Sequence, residues 1–241
     1  MDLIKTEDMK KNYGNTEVLK KINLSVHEGE FVGIMGKSGS GKTTLLKILG
    51  MIETTSGGDF TYRGKRAEDL TDKETARIRR EELGFVFQEF FLMDSLDILE
   101  NVMLPLFVSK CANEEGKKRG RALMKQFGIE HLERKMPNEL SGGERQRTAI
   151  CRALINNPQI IYADEPTGNL DSKSGKVVID SLKKINEEFH KTIVMVTHDP
   201  KMASYCDRVI LLKDGEVLHQ LEKETNKNDF YKMIIESMIE L

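Results

Sequence analysis

The chain has 241 residues, 39% of them hydrophobic and 32% charged, with a formal net charge of −2. That is enough apolar material for one large domain or two small ones, and the near-neutral balance excludes the basic footprint of a nucleic-acid binder. No apolar run approaches the ~18 residues of a membrane span and residues 1–5 lack a signal-peptide core, so work at a membrane requires docking on another chain.

In chain order, residues 3–13 are short and mixed in character and read as an edge strand closed by Tyr13-Gly14. Residues 18–26 alternate, with Ile22, Leu24 and Val26 apolar, and read as a strand. Glu28-Gly29-Glu30 turns into Phe31-Val32-Gly33-Ile34-Met35, an apolar run of the buried-strand kind. After a glycine-rich stretch, residues 44–49 read as a helix with Gly50 placed to end it. Residues 57–64 give another short strand between turns. Thr71-Asp72-Lys73-Glu74 is a capping box that opens a charged helix to about Glu82.

Gly84-Phe85-Val86-Phe87-Gln88 is a strand with a polar end. Residues 90–107 are dense in apolar side chains, and a charged helix over about 113–127 stops at Gly128. About 89–157 is expected to be a mostly helical insertion. Gln159 to Asp164 is a buried strand ending in a carboxylate. Asp171 can N-cap a helix whose stripe is Val178, Leu182, Ile185 and Phe189. Residues 192–197 read as a central strand. Residues 208–212 and 216–218 form a hairpin around Asp214-Gly215. Phe230, Tyr231, Ile234, Ile235 and Met238 mark an amphipathic C-terminal helix within about 222–241. Strands alternating with helices make the fold α/β with a mainly parallel core sheet, and the early strands suggest a small antiparallel β-subdomain beside it. Three scattered cysteines (Cys111, Cys151 and Cys206) have no metal-like spacing and suit a reducing compartment.

The chemistry centres on Gly36-Lys37-Ser38-Gly39-Ser40-Gly41-Lys42-Thr43, a G-x-x-x-x-G-K-[ST] loop between strand and helix. Glycines let backbone N–H groups turn inward, and the helix that Thr44 continues adds partial positive charge, so the segment is a phosphate cradle. Lys42 can reach the β- and γ-phosphates of ATP, and the Thr43 hydroxyl suits Mg2+. Asp164 ends a buried strand and is a second magnesium ligand. Glu165 can polarise an attacking water. Gln88 ends another strand and can touch Mg2+ or the water, or simply face solvent. His198 follows a central strand and can bond the γ-phosphate, or be a loop histidine. His27, His131, His190 and His219 read as structural. Ser141-Gly142-Gly143 opens a helix and offers a hydroxyl, free amides and a helix dipole: a second anion site. One phosphate loop and two phosphate-grasping motifs are reconciled by a head-to-tail pair in which each chain's Ser141 closes over its partner's loop.

With these motifs in this order, residues 3–218 resemble the nucleotide-binding subunit of ABC transporters. Leu140 to Arg147 is similar to the family signature, Gly36 to Thr43 to Walker A, and Ile161 to Glu165 to Walker B with the catalytic glutamate. Gln88 matches the Q-loop, residues 168–171 the D-loop and His198 the switch histidine. The resemblance implies one ABC ATP-binding domain over 1–241, with Asp171 among the nucleotide-binding residues. It also implies that Tyr13 stacks on adenine, and that Ser141 and Gly143 reach ATP held by the other subunit. The apolar edge around Phe90 to Met93 would take a coupling helix from an integral membrane permease at the cytoplasmic face of the membrane, or be subdomain core. The context of Gln88 and residues 167–171 looks like the branch serving lipoprotein release, macrolide export and bacitracin-type resistance, with residues 97–106 nearest the last. Lys37 and Cys151 depart slightly from the family pattern. A non-transport signalling complex, or lipoprotein release, is the alternative reading. A nucleotide kinase would explain the loop but not Leu140 to Arg147.

Overall fold

The computed structural model describes residues 2–109, 111–224 and 226–241. Among them, ten strands form one sheet in the order β5-β4-β1-β2-β10-β9-β3-β8-β7-β6. The parallel core comprises β3 (Phe31–Met35), β6 (Leu83–Phe87), β7 (Ile160–Asp164), β8 (Thr192–Val196) and β9 (Arg208–Lys213). Side chains alternate across it. Phe31 and Met35 enter one apolar cluster while Val32 and Ile34 enter the other, and Ile193 and Met195 are likewise separated from Val194 and Val196. With both faces covered, these strands read as unbroken apolar runs.

The antiparallel part comprises β1 (Asp2–Tyr13), β2 (Thr16–His27), β4 (Gly57–Tyr62) and β5 (Lys65–Arg66). β1 is not the expected edge strand. It runs twelve residues between β2 and β4, and its mixed pattern reflects several register shifts along both pairings. β10 (Glu216–Glu222) joins the two parts, antiparallel to β9 and bridged to β2 at Glu216 and Lys21. Buried Arg208 stitches the same seam, donating to the Glu30 carboxylate at 2.7 Å, the Ser25 carbonyl at 2.6 Å and Gln220 Oε1 at 2.6 Å.

Helices α1 (Lys42–Leu49) and α2 (Asp72–Glu81) follow β3 and β5. α3 (Ile98–Val108), α4 (Glu114–Gln126) and α5 (Gly142–Leu154) lie within the expected helical segment, although residues 89–97 are not helical. α6 (Ser172–Phe189), α7 (Pro200–Ala203) and α8 (Lys227–Met238) complete the chain. Thr71 caps α2 in the expected capping box and Asp171 caps α6 through the amides of Lys173 and Ser174. The β9–β10 turn has Asp214 at φ +48° and Gly215 at φ +80°, as a two-residue hairpin requires. On α8, Phe230 and Ile234 are buried but Tyr231 and Ile235 are exposed, so the apolar residues that mark the amphipathic helix do not all face the core.

Gly50 ends α1, though not by a left-handed turn, since its φ is −82°. Its reason is contact. A Cβ there would lie 2.6 Å from the Phe85 ring, which is stacked between Phe87 and Tyr162 at centroid distances of 5.8 and 5.4 Å. Gly50→Ala should therefore destabilise the fold by ~1–3 kcal/mol through overpacking, despite alanine's better helix propensity. Urea denaturation against the parent chain checks the sign.

Candidate active site

β3, β7 and β8 are parallel neighbours, so their C-terminal ends meet at one edge of the sheet. That edge holds a cleft of about 730 Å3 lined by Gly36, Lys37, Ser38, Gly39, Gly41, Lys42, Thr43 and Thr44, with Glu165 and His198 opposite. No side chain caps α1, whose N-cap is Gly41 at φ +97°. The contrast with α2, α3 and α5, each closed by a capping box, leaves the first turn of α1 to whatever enters the cleft. The loop is close-packed beneath. A Cβ on Gly36 would lie 2.2 Å from the Leu212 carbonyl oxygen and 2.6 Å from Ser40 Oγ. Ser40 is the exception among the expected loop ligands: its side chain is buried below the loop, with Oγ unpartnered, rather than facing the cleft.

Lys42 folds back over the loop, its Nζ donating to the carbonyls of Gly36 and Lys37 at 2.8 Å each. Burial holds its ammonium below the ordinary lysine value, against the pull of Glu165 and Asp164. Thr43 Oγ1 donates to Asp164 Oδ1 at 3.3 Å, joining the expected pair of metal ligands across two elements. Burial raises the Asp164 carboxyl above its usual range, opposed by that hydrogen bond. Glu165 sits at φ +45°, an uncommon conformation for a non-glycine residue, which turns its side chain across the cleft. Its Oε2 lies 3.0 Å from His198 Nδ1.

Other expected residues lie elsewhere. Gln88 does not reach Thr43 or Asp164. Its Nε2 donates to Asn169 Oδ1 at 3.0 Å, and Asn169 Nδ2 returns a bond to the Gln88 carbonyl at 3.2 Å. Tyr13 is half exposed, but its hydroxyl donates to the Glu53 carboxylate and Lys11 Nζ stands 5.0 Å from its ring centroid, so one face is already occupied. Gly142 and Gly143 pack against the 169–174 segment, and neither they nor Ser141 line the cleft of their own chain. The Ser141 hydroxyl is held by Glu144, whose carboxylate accepts from Ser141 N at 2.8 Å and Oγ at 2.6 Å. An anion arriving at α5 must displace that carboxylate. Asp171 caps α6 and is likewise outside the cleft. Sequence reasoning missed Val18, Met238 and Leu241, which also line the cleft through folding of distant segments.

The sequence pattern of the family described as "ABC transporter" matches residues 19–168. The chain belongs to that family. It is 44% identical to "Bacitracin export ATP-binding protein BceA" of Halalkalibacterium halodurans over 98% of this chain and 96% of that one. It is 46% identical to "Macrolide export ATP-binding/permease protein MacB" of Campylobacter jejuni over 95% of this chain, though over only 35% of that longer protein. A solved relative, "Dimeric structure of a post-hydrolysis state of the ATP-binding cassette MJ0796 bound to ADP and Pi", superposes with a TM-score of 0.83 at 44% identity, over 92% of this chain and all of that one. The chain is thus an ABC ATPase cassette.

Because burial raises the Asp164 carboxyl, the folded chain binds that proton more tightly than the unfolded chain does. The contribution of this group to stability is present at low pH and falls as pH rises above its ordinary value of 3.8. Ligand-free Asp164→Asn should therefore melt at a higher temperature than the parent at pH 7, with the gap closing toward about pH 4. Thermal melts across pH test this.

Proposed function

We propose that two copies of this chain close head to tail over ATP, hydrolyse it with magnesium, and drive an integral membrane permease that exports antimicrobial peptides or confers resistance to them. The supporting observation is the separation of the two phosphate-binding elements. Within one chain α5 presents Ser141 away from the cleft that holds Lys42, so a second chain is needed to bring a Ser141 to each cleft.

The open first turn of α1 and the Lys42 ammonium bind the phosphates. Thr43 and Asp164 fit a magnesium ion, which commonly takes one or two protein oxygens and completes its shell with water and substrate phosphates. Magnesium there would neutralise charge building on the phosphate oxygens. Glu165, steered by its backbone, orients the attacking water and accepts its proton. His198, beside it, bonds the γ-phosphate. Gln88 joins the ligands only after releasing Asn169, which links cleft chemistry to the segment after β6.

That segment forms one wall of an apolar groove lined by Phe85, Phe87, Phe91, Leu104, Pro105 and Val108. Phe90 and Phe91 have φ of +60° and +47°, and Arg152 donates to both of their carbonyls. The groove is pre-shaped, and Phe91 and Val108 remain 61% and 65% exposed, so it suits an apolar coupling segment of the permease. Likeness to BceA over nearly the whole chain supports a peptide antibiotic as the cargo.

Glu165→Gln should lower hydrolysis by about 10²–10⁴-fold, retain ATP binding and accumulate an ATP-bound dimer in sedimentation. Hydrolysis at the parent rate would remove Glu165 from this role. Phe91→Ser should leave ATP binding and melting unchanged while the protein recovered with membranes falls about tenfold or more, measured by flotation of cell extracts.

A further inference from the structure

Met238 and Leu241 line the same cleft as the phosphate loop, although they come from the opposite end of the sequence. α8 and the residues after it are anchored at two points. Phe230 and Ile234 are buried in the core. Glu240 is gripped from β9 and β10, with Lys213 Nζ donating to its carbonyl at 2.5 Å and His219 Nε2 2.8 Å from its carboxylate. Successive helical residues turn by ~100°, which places Tyr231, Ile235 and Ile239 in a single stripe. All three are exposed, Ile239 at 85%. On the same wheel Met238 falls between this stripe and the core-facing Phe230 and Ile234. Tyr231 and Ile235 follow Met238 around the helix at ~20° and ~60°, so the stripe begins at the lip of the cleft and runs outward to Ile239.

A partner that closes over the cleft must pass this lip. The permease groove lies elsewhere, on β6, α3 and α5. We propose that Tyr231, Ile235 and Ile239 form a docking surface for the second copy of this chain, buried when ATP closes the pair. The inference rests on the head-to-tail reading and adds to it a contact outside the phosphate loop and the Ser141 segment. It gives an exposed apolar stripe an occupant whose approach the cleft already dictates.

The test uses the full chain carrying Glu165→Gln, with ATP and magnesium. Ile235→Lys combined with Ile239→Lys should weaken dimerisation about tenfold or more in sedimentation velocity. Melting temperature and the binding of a fluorescent ATP analogue to the monomer should not change. Met233→Lys, exposed on the other side of α8, should leave the dimer constant unchanged. The chain has 0 tryptophans, so Ile239→Trp gives a lone reporter. Its emission should shift to the blue with ATP, at the same protein concentrations that produce dimer. A dimer constant indifferent to the two lysines, or a tryptophan that stays wet in the dimer, overturns the lip while leaving closure standing. A shift that needs solubilised membranes and is absent from the chain alone also overturns it, in favour of a membrane partner. A Glu165→Gln chain that stays monomeric with ATP overturns closure itself, and the lip with it.

Discussion

The pairing register of adjacent parallel strands governs the rest of the molecule. Ile34 lies opposite Val196, Asp164 opposite the same Val196, and Phe87 opposite Asp164. The residues just beyond these positions are Gly36, Glu165, Thr197-His198 and Gln88. A slip of one residue in any of these strands would turn its side chains to the opposite face, exchanging the two apolar clusters and swinging Asp164 away from Thr43. The apolar packing that fixes register also sets the distances of the cleft. Core and chemistry are two consequences of one alignment.

The cleft stores electrostatic cost in its ligand-free state. Burial acts on Lys42 and Asp164 in opposite directions, pushing each toward its neutral form. Lys42 offsets part of this by donating to its own loop carbonyls, neutral partners that a phosphate oxygen outcompetes. A polyanion beside Lys42 removes the penalty that burial imposes, so binding energy is concentrated where the charged group is to be held. Glu144 does at α5 what no residue does at α1: it places a carboxylate on the helix N-terminus. The two helix N-termini therefore rest in different states, one open and one self-occupied.

Much of this was legible because it is local. The phosphate loop, the capping box at Thr71, the helix start at Ser141, the Asp171 cap and the Asp214-Gly215 turn each depend on residues a few positions apart, and each is found where the spacing places it. Buried strands were readable because a parallel sheet covered on both faces leaves unbroken apolar runs. What was not legible depends on distant chain segments. β1 looked like an edge because its register shifts blur the alternation, while its second neighbour, β4, lies some fifty residues on. Gln88 looked like a cleft residue because its strand ends at the right edge, but β6 is the outermost strand of that edge and Asn169 reaches it first. The apolar residues of α8 exceed the one stripe that is buried, since only the packed structure separates a core face from a lip.

α5 connects what the strands keep apart. Ser141 caps its start, and Arg152, near its end, holds the carbonyls of Phe90 and Phe91, about 16 Å away along the axis at 1.5 Å per residue. Between them Gln146, fully buried, donates to the Phe87 carbonyl at 3.3 Å and keeps its own oxygen unpartnered. A helix packed along its length moves as a body, because its interior contacts do not yield piecemeal. Displacing Glu144 from Ser141 and drawing the start of α5 toward a phosphate therefore carries Arg152 with it, and with Arg152 the two left-handed phenylalanines that shape the groove. The end of β6, one residue before Gln88, is tied to the same helix through the Gln146 bond to the Phe87 carbonyl. The start of α5, the end of β6 and the two phenylalanines are thus in contact with one helix, which is the element through which the proposed closure would reach the groove.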